Sequence, residues 1–213
     1  MLVIGLTGSI GMGKSTVAAR LRALAIPVFD ADGEVHRIYE GDAAALIEAA
    51  FPGTTLEGKV DRARLAAALL ANPQDLRRLE AIVHPLVLEG ERAFLRQAAA
   101  GGAGMAVLEV PLLLETGGQA RVDVVIVASA PEEMQHTRVL ARPGMGPEKL
   151  AQILQRQMAD GKKREMADFV VDTGGSFADT DAQVDRIVES LKARRGSAYR
   201  RFWAGGARRS KRG

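Results

Sequence analysis

The sequence of 213 residues has no cysteine, few aromatic residues and no long apolar run. The absence of cysteine excludes disulfides, thiolate metal sites and cysteine nucleophiles, and it is typical of a reducing compartment. Aromatic residues make up 4% of the chain, which argues against a stacking platform for single-stranded nucleic acid. No apolar run approaches the ~18 residues of a membrane-spanning helix, and residues 1–6 lack the basic segment of a signal peptide. We therefore expect a cytoplasmic protein without a membrane partner.

The formal net charge of +3 is unevenly distributed along the chain. Residues 192–213 hold nine of the 29 Lys and Arg residues and no acidic residue. Residues 1–191 are left with 20 basic and 26 acidic residues, a formal charge of −6. We expect residues 196–213 to form a disordered, solubilising basic tail. The alternative is a regulatory nucleotide-binding protein whose tail binds nucleic acid in a salt-dependent manner.

Short apolar runs alternate with segments of helical periodicity. Strands are predicted at residues 2–6, 27–29, 105–110, 122–128 and 169–171, and helices at 15–24, 131–140, 147–159 and 179–192. This alternation predicts an α/β fold with a mostly parallel sheet. Residues 33–100 differ, because they are rich in Ala, Leu, Glu and Arg and predict several helices with almost no strand. Breaks are expected at Gly41, Pro52-Gly53, Gly58, Asn72-Pro73 and His84-Pro85. We interpret this block as an inserted, substrate-side subdomain.

A glycine-rich motif between the first strand and the first helix carries the clearest chemistry. The run Gly8-Ser9-Ile10-Gly11-Met12-Gly13-Lys14-Ser15 fits the P-loop pattern G-x-x-x-x-G-K-[ST]. Its glycines let the backbone N–H groups turn toward phosphate oxygens, and the helix N-terminus adds a partial positive charge. Lys14 is expected to reach the β- and γ-phosphates, Ser15 to hold Mg²⁺, and Thr16 to assist at the α-phosphate. The motif predicts a nucleoside triphosphate site.

Acidic residues end two of the predicted strands, where ligands of an open parallel sheet gather. Asp32 could accept a proton from an attacking hydroxyl or hold Mg²⁺ through water. Asp30 could instead cap the helix that follows Gly33. Glu109 ends the strand Ala106-Val107-Leu108 and is a candidate second Mg²⁺ ligand; the alternative is a solvated acid.

A candidate lid follows in the last third of the chain. Arg138 and Arg142 are four residues apart and so share one helix face, and Pro143-Gly144-Met145-Gly146 follows as a hinge. Such a segment could bring a guanidinium onto the transferring phosphoryl group and exclude water; the alternative is a solvated helix face. His84 has no second histidine at metal-ligand spacing, so we expect no zinc-type site.

Taken together, these residues resemble the dephospho-coenzyme A kinase family over Leu2 to about Leu191. The P-loop is generic, whereas three further motifs in this order are specific. The resemblance rests on Leu6 to Thr16, Asp30-Ala31-Asp32, His84-Pro85-Leu86, Val110-Pro111-Leu112-Leu113-Leu114-Glu115, Arg138 to Arg142, Gln157 and Ala167 to Gly174.

The resemblance implies transfer of the γ-phosphate of ATP, with Mg²⁺, to the 3′-hydroxyl of dephospho-coenzyme A. It implies a P-loop NTPase fold of three layers over residues 1–195, with a core at 1–33, 105–135 and 166–192. A helical insert on the coenzyme A side is implied at about 34–104 and a lid at about 136–165. ATP and dephospho-coenzyme A are the expected partners of a monomer, and we do not expect nucleic acid.

Site residues follow from the same resemblance. Asp32 matches the acid that receives the hydroxyl proton, and Arg138 and Arg142 match arginines of the lid. The nucleotide side comprises Gly8, Gly11, Met12, Gly13, Lys14, Ser15, Thr16, Thr173 and Gly174, with Thr173-Gly174 near adenine. The acceptor side comprises Asp32, His84, Pro85, Leu112 and Glu115. Ser15, from the P-loop motif, and Glu109, from the strand end described above, are the candidate metal ligands. The nearest alternative enzyme is a nucleoside monophosphate or shikimate-type kinase, whose acceptor sites usually present arginines.

Overall fold

The computed structural model describes residues 1–205 of the chain. None of the helices in this range is long and apolar enough to cross a membrane. In chain order, the elements are β1 Leu2–Thr7, α1 Lys14–Ala23, β2 Val28–Asp30, α2 Ala31–Tyr39, α3 Ala44–Ala50, β3 Thr55–Leu56, β4 Lys59–Val60, α4 Arg62–Ala71, α5 Leu76–Ala100, β5 Met105–Glu109, β6 Val124–Ser129, α6 Glu132–Leu140, α7 Pro147–Gln155, α8 Asp160–Glu165, β7 Phe169–Asp172 and α9 Phe177–Leu191.

The chain forms two compact units. The first comprises residues 1–29 and the described residues from Leu95 onward, and the second comprises Asp30–Phe94. The predicted insert, at about 34–104, begins four residues later and ends ten residues later than the second unit.

A five-stranded sheet forms the centre of the first unit, in the order β2-β5-β1-β6-β7. β1 pairs in parallel with both β5 and β6, and β6 pairs in parallel with β7. All six residues of β1 are buried, as the continuous apolar run predicts for the central strand of a parallel sheet. The mostly parallel sheet is the one that the sequence predicts.

The two faces of this sheet are covered by different parts of the chain. Val124 and Ile126 of β6 belong to a core that includes residues of α1 and α9. Val125 and Val127, which alternate with them, pack with Leu113 and Leu114 on the opposite face. Because successive side chains of a strand point to opposite faces, this division shows a three-layer arrangement.

The second unit is mainly helical and has its own apolar core. Residues of α2, α3, α4 and α5 form this core, among them Ile38, Ile47, Leu65 and Leu79. A two-stranded antiparallel hairpin of β3 and β4 interrupts the helices. The prediction of several helices with almost no strand is thus close to the observed structure, and the hairpin lies at the predicted break around Gly58.

One predicted helix break is wrong. The dipeptide His84-Pro85 lies inside the 25-residue helix α5, where a proline removes one backbone hydrogen bond and costs about 3 kcal/mol. Buried side chains before and after the proline, including Leu79, Val83 and Leu95, offset this cost. Each buried leucine or valine contributes roughly 1.5–3 kcal/mol, so tertiary packing overrides the local signal.

The predicted disordered tail is also wrong for its first part. Residues 199–203 form a π-helical turn, and Trp203 is 1% exposed. The indole Nε1 donates to the carbonyl oxygen of Arg121 at 2.8 Å, and the Arg121 guanidinium lies 5.8 Å from the ring centroid. Burial of a large indole outweighs the local positive charge. The rest of the predicted tail, residues 206–213, lies outside the described residues.

A single carboxylate fastens this C-terminal segment to the sheet. Asp123, just before β6, accepts hydrogen bonds from the amides of Val3 at 2.9 Å, Ser197 at 2.7 Å and Ala198 at 2.8 Å. Burial raises the pKa of the Asp123 carboxyl, but these amide hydrogen bonds outweigh it and hold the pKa below its ordinary value.

Candidate active site

The P-loop connects the carboxyl end of β1 to the first residue of α1. Gly11 and Gly13 adopt φ values of 78° and 80°, which favour glycine. A Cβ atom on Gly13 would lie 2.5 Å from Thr173 Oγ1, and one on Gly11 would lie 2.6 Å from Val139 Cγ2. The loop therefore requires glycine at both positions, for its conformation and for the close approach of its neighbours.

The helix after the loop leaves its N-terminal end available to an anion. No side chain caps α1, and its first turn contains no acidic residue. Within residues 1–205, the side chains of Lys14 and Ser15 have neither an ion pair nor a hydrogen bond. A positive helix end together with an unpaired ammonium group forms a site for phosphate. The P-loop geometry thus agrees with the predicted triphosphate site.

Arg138 and Thr173 come together against the backbone of the P-loop. Arg138 Nη2 donates to the carbonyl oxygen of Thr173 at 2.7 Å, and Nη1 donates to Thr173 Oγ1 at 3.1 Å and to the carbonyl oxygen of Gly11 at 3.4 Å. Thr173 Oγ1 in turn donates to the carbonyl oxygen of Met12 at 3.0 Å. Arg138 thus connects the P-loop to Thr173 through hydrogen bonds.

Arg142, the other predicted lid arginine, differs from Arg138. It is exposed just after the end of α6, and its guanidinium has no hydrogen bond or ion pair within the described part of the chain. The prediction that the two arginines share one helix face is wrong, because α6 ends at Leu140 and Arg142 lies beyond it. Of the two, only Arg142 is free to meet a ligand.

Gly174, at the predicted adenine side, lies in a tight turn after β7. Its amide donates to Asp172 Oδ1 at 2.7 Å. A Cβ atom at this position would lie 2.7 Å from Pro131 Cδ. The close approach of Pro131 explains why a small residue stands here.

Glu109 lies at the carboxyl end of β5, beside Leu6 of β1 in the parallel register. It is 9% exposed, and Arg22 Nη2 lies 3.6 Å from its Oε2. The acid is therefore not the solvated residue that the alternative interpretation describes. It is a carboxylate partly neutralised by Arg22, and it lies at the carboxyl end of the sheet, as the P-loop does.

The acceptor-side residues Leu112 and Glu115 lie in the segment after β5. Leu112 is 37% exposed. Glu115 Oε1 accepts from Lys163 Nζ at 2.8 Å and from the amide of Met158 at 2.7 Å, while its Oε2 is buried without a partner. Since Lys163 is completely buried, this ion pair is a fixed structural contact. Glu115 is therefore not a free acid.

The remaining acceptor-side residues lie in the second unit. Asp30 Oδ1 accepts from the amide of Gly33 at 3.1 Å, so Asp30 is the N-cap of α2, one of the two roles considered for it. Asp32, in the first turn of α2, is exposed, and its carboxylate has no partner within residues 1–205. His84 and Pro85 are exposed on α5.

Three side chains without a role in the sequence analysis contact the loop or its supports. Gln135 and Gln157 both hydrogen-bond to Ile10 of the P-loop, and Lys163 pairs with Glu115. A single glutamine has no characteristic sequence signal, whether it lies inside a helix as Gln135 does or just beyond one as Gln157 does. Lys163 stands in the basic run Lys162-Lys163-Arg164, which is typical of a solvated surface. None of these three contacts could be found from sequence pattern alone.

Comparison with known proteins identifies the family. The family model described as dephospho-CoA kinase matches residues 2–179. The chain belongs to the dephospho-CoA kinase family. The dephospho-CoA kinase of Mesorhizobium japonicum is 54% identical over 197 residues, which cover 92% of this chain and all of the relative. The predicted resemblance is confirmed, and the chain is a kinase of a family that uses ATP.

Solved structures agree with this dephospho-CoA kinase fold. TT1252 from Thermus thermophilus matches with a TM-score of 0.77 at 35% identity, covering 89% of this chain and 97% of that chain. The dephospho-CoA kinase from Campylobacter jejuni matches with a TM-score of 0.66 at 24% identity, covering 89% and 96%. The second match shows the fold alone. The predicted fold class, a P-loop kinase with a mostly parallel sheet, is confirmed.

Proposed function

We propose that this chain transfers the γ-phosphate of ATP to the 3′-hydroxyl of dephospho-coenzyme A, giving coenzyme A and ADP. Membership of the dephospho-CoA kinase family carries the choice of acceptor. The P-loop, with an unpaired Lys14 at an uncapped helix N-terminus, supports the choice of donor.

The P-loop and α1 bind the triphosphate in this proposal. Backbone N–H groups of the P-loop other than those of Ile10 and Met12, which are bonded within the protein, and the N-terminus of α1 surround the phosphate oxygens, with Thr16 at the α-phosphate. Lys14 contacts the β- and γ-phosphates and stabilises the charge that develops in transfer. Thr173 and Gly174 border the adenine.

Mg²⁺ is the metal that we propose to accompany ATP. It prefers oxygen ligands and keeps several waters and phosphate oxygens, so it needs few protein ligands. The Ser15 hydroxyl, which has no partner within residues 1–205, and the Glu109 carboxylate at the end of β5 fit this requirement. Bound there, Mg²⁺ would neutralise charge on the β- and γ-phosphate oxygens.

Asp32 is the general base that we propose for the acceptor. As the 3′-oxygen forms a bond to the γ-phosphorus, the bond from that phosphorus to the oxygen of ADP breaks, and Asp32 accepts the hydroxyl proton. An exposed carboxylate with no protein partner is suited to this role. His84, Pro85 and Leu112 border the acceptor, and Glu115 supports that side through its contacts with Lys163 and Met158.

Arg142 is the lid arginine that we propose to meet the transferred phosphoryl group. Its guanidinium is exposed and unpaired within the described part of the chain, whereas that of Arg138 is engaged by Thr173 and Gly11. Arg138 would hold the P-loop in place through its contacts with Gly11 and Thr173. The lid, at about 136–165, would close over the nucleotide and exclude water.

The chain acts, in this proposal, as a cytoplasmic monomer without a nucleic acid partner. Part of its basic C-terminal region already has partners within the protein. Lys192 pairs with Glu189, Arg194 donates to the carbonyl oxygen of Asp123, and Arg201 lies over the ring of Phe202. These contacts favour a structural role for this region over a nucleic acid surface.

The test is an ADP-release assay with Mg²⁺-ATP on the wild type and on Lys14→Ala. We expect turnover that depends on dephospho-coenzyme A and is at least about 10³-fold lower in Lys14→Ala, since Lys14 contributes much of the charge stabilisation. Shikimate and nucleoside monophosphates are the control acceptors. ADP formation with one of these, or without any acceptor, would contradict the proposal.

A further inference from the structure

Two glutamines hold the single P-loop residue Ile10 by its backbone. The amide N–H of Ile10 donates to Gln157 Oε1 at 3.0 Å, and the carbonyl oxygen of Ile10 accepts from Gln135 Nε2 at 2.7 Å. Gln135 lies in α6, and Gln157 lies two residues beyond the end of α7. The peptide groups on both sides of Ile10 are thus oriented by side chains from outside the loop.

Gln157 is itself fixed by a buried contact. The next residue, Met158, donates its amide to Glu115 Oε1 at 2.7 Å, and that oxygen also pairs with Lys163 at 2.8 Å. Lys163, which is completely buried, donates in addition to the carbonyl oxygen of Pro111 at 3.2 Å. A continuous series of contacts therefore runs from the segment after β5, through Glu115 and Met158, to the P-loop.

We propose that Gln157 is a positioning residue for nucleotide binding, which orients the Ile10 peptide so that the remaining P-loop amides face the phosphates. The inference rests on the function proposed above. A P-loop binds phosphate through backbone N–H groups whose directions depend on each peptide plane. Holding the Ile10 N–H and carbonyl outward fixes two of these planes before the nucleotide arrives, which reduces the cost of ordering the loop.

The residue type fits this role. A glutamine oxygen accepts the hydrogen bond without adding charge. A glutamate would also accept it but would bring a negative charge to a loop that binds a triphosphate. The Glu115–Lys163 pair fixes the backbone beside Gln157. A continuous series of contacts therefore connects the acceptor-side segment to the P-loop.

The test compares Gln157→Met with the matched control Gln155→Met. Gln155, at the exposed end of α7, has no side-chain hydrogen bond within residues 1–205. We expect Gln157→Met to raise the KM for ATP and the Kd for Mg²⁺-ADP about tenfold, because the Ile10 peptide must then be ordered when the nucleotide binds. The kcat, the KM for dephospho-coenzyme A and the Tm should stay near those of the control.

A purely structural role predicts a different result. It would lower the Tm of Gln157→Met and leave the KM for ATP unchanged, which would overturn the inference. A second variant, Gln157→Glu, keeps an acceptor for the Ile10 amide and should still raise the Kd for Mg²⁺-ADP, by more than tenfold, because of its charge. Unchanged nucleotide affinity in this variant would also overturn the inference.

The proposed function fails in a different way. If the wild type formed no ADP in response to dephospho-coenzyme A, the function would be refuted. The Kd for Mg²⁺-ADP needs no acceptor, so it would still test Gln157.

Discussion

Several polar side chains at the carboxyl end of the central sheet have no partner within residues 1–205, whereas those described at its amino end are hydrogen-bonded. At the carboxyl end, Lys14, Ser15 and Arg142 have no side-chain partner within residues 1–205. At the amino end, the Asp123 carboxylate accepts three backbone hydrogen bonds and Trp203 is buried with its indole N–H paired. Unpaired charged groups on a rigid support are available to a ligand, whereas saturated ones stabilise the fold.

This difference separates stability from activity. Substitution of the unpaired groups at the carboxyl end, Lys14, Ser15 and Arg142, should change turnover or nucleotide binding and leave unfolding almost unchanged. Substitutions at the amino end should change unfolding and leave the kinetics of the folded enzyme unchanged. Four variants and two matched controls test the comparison.

The largest expected effect is on kcat and concerns Asp32, an unpaired carboxylate of the second unit. Asp32→Asn should lower kcat by about 10³-fold, within the range of a lost general base, and leave the Kd for ATP nearly unchanged. The loss is measured by steady-state kinetics and the binding by calorimetry.

Asp30→Asn is the matched control for Asp32→Asn. Asp30 caps α2 through Gly33, and asparagine is an equally good N-cap, so kcat and Tm should change little. If Asp32→Asn kept full kcat, the proposed base would be refuted.

The next effect belongs to the amino end. Trp203→Ala should lower the free energy of unfolding by about 3–5 kcal/mol, the usual cost of removing a buried indole. Urea denaturation measures it, and kcat at low temperature should equal that of the wild type.

Trp203→Phe separates packing from hydrogen bonding at the same position. It keeps an aromatic ring but removes the bond from Nε1 to Arg121, so it should cost less than Trp203→Ala. A marked fall in kcat for either variant, measured on folded protein, would contradict the separation of the two ends.

Much of the fold could be predicted from the sequence because its signals are local. The run Leu2–Leu6 predicts a buried strand that the structure extends to Thr7, and the glycine motif locates the P-loop between β1 and α1. The helix through Pro85 and the buried Trp203 could not be predicted in this way. Both depend on packing between distant parts of the chain, which outweighs the local preference.

In the candidate site, too, local motifs could be predicted from the sequence and contacts between distant residues could not. Lys14 and Ser15 follow from the motif, because their roles depend on spacing along the chain. The different environments of Arg138 and Arg142 do not, since they depend on the position of Thr173, 35 residues after Arg138. The pairing of Glu115 with Lys163 is likewise a contact between residues far apart in sequence.

The smallest effect tests the saturated carboxylate at the amino end. Because the folded-state pKa of Asp123 lies below its ordinary value, its contribution is fully present above the unfolded pKa and is lost as the pH falls through the folded pKa. Asp123→Asn should therefore cost about 1–2 kcal/mol of unfolding free energy at pH 7 and less at pH 3. Urea denaturation at the two pH values measures this difference, and Asp75→Asn, whose carboxylate has no partner within residues 1–205, is the control. A cost that is the same at both pH values would show that shape, not charge, holds the C-terminal segment. In that case the two ends would differ in packing rather than in how they use charge.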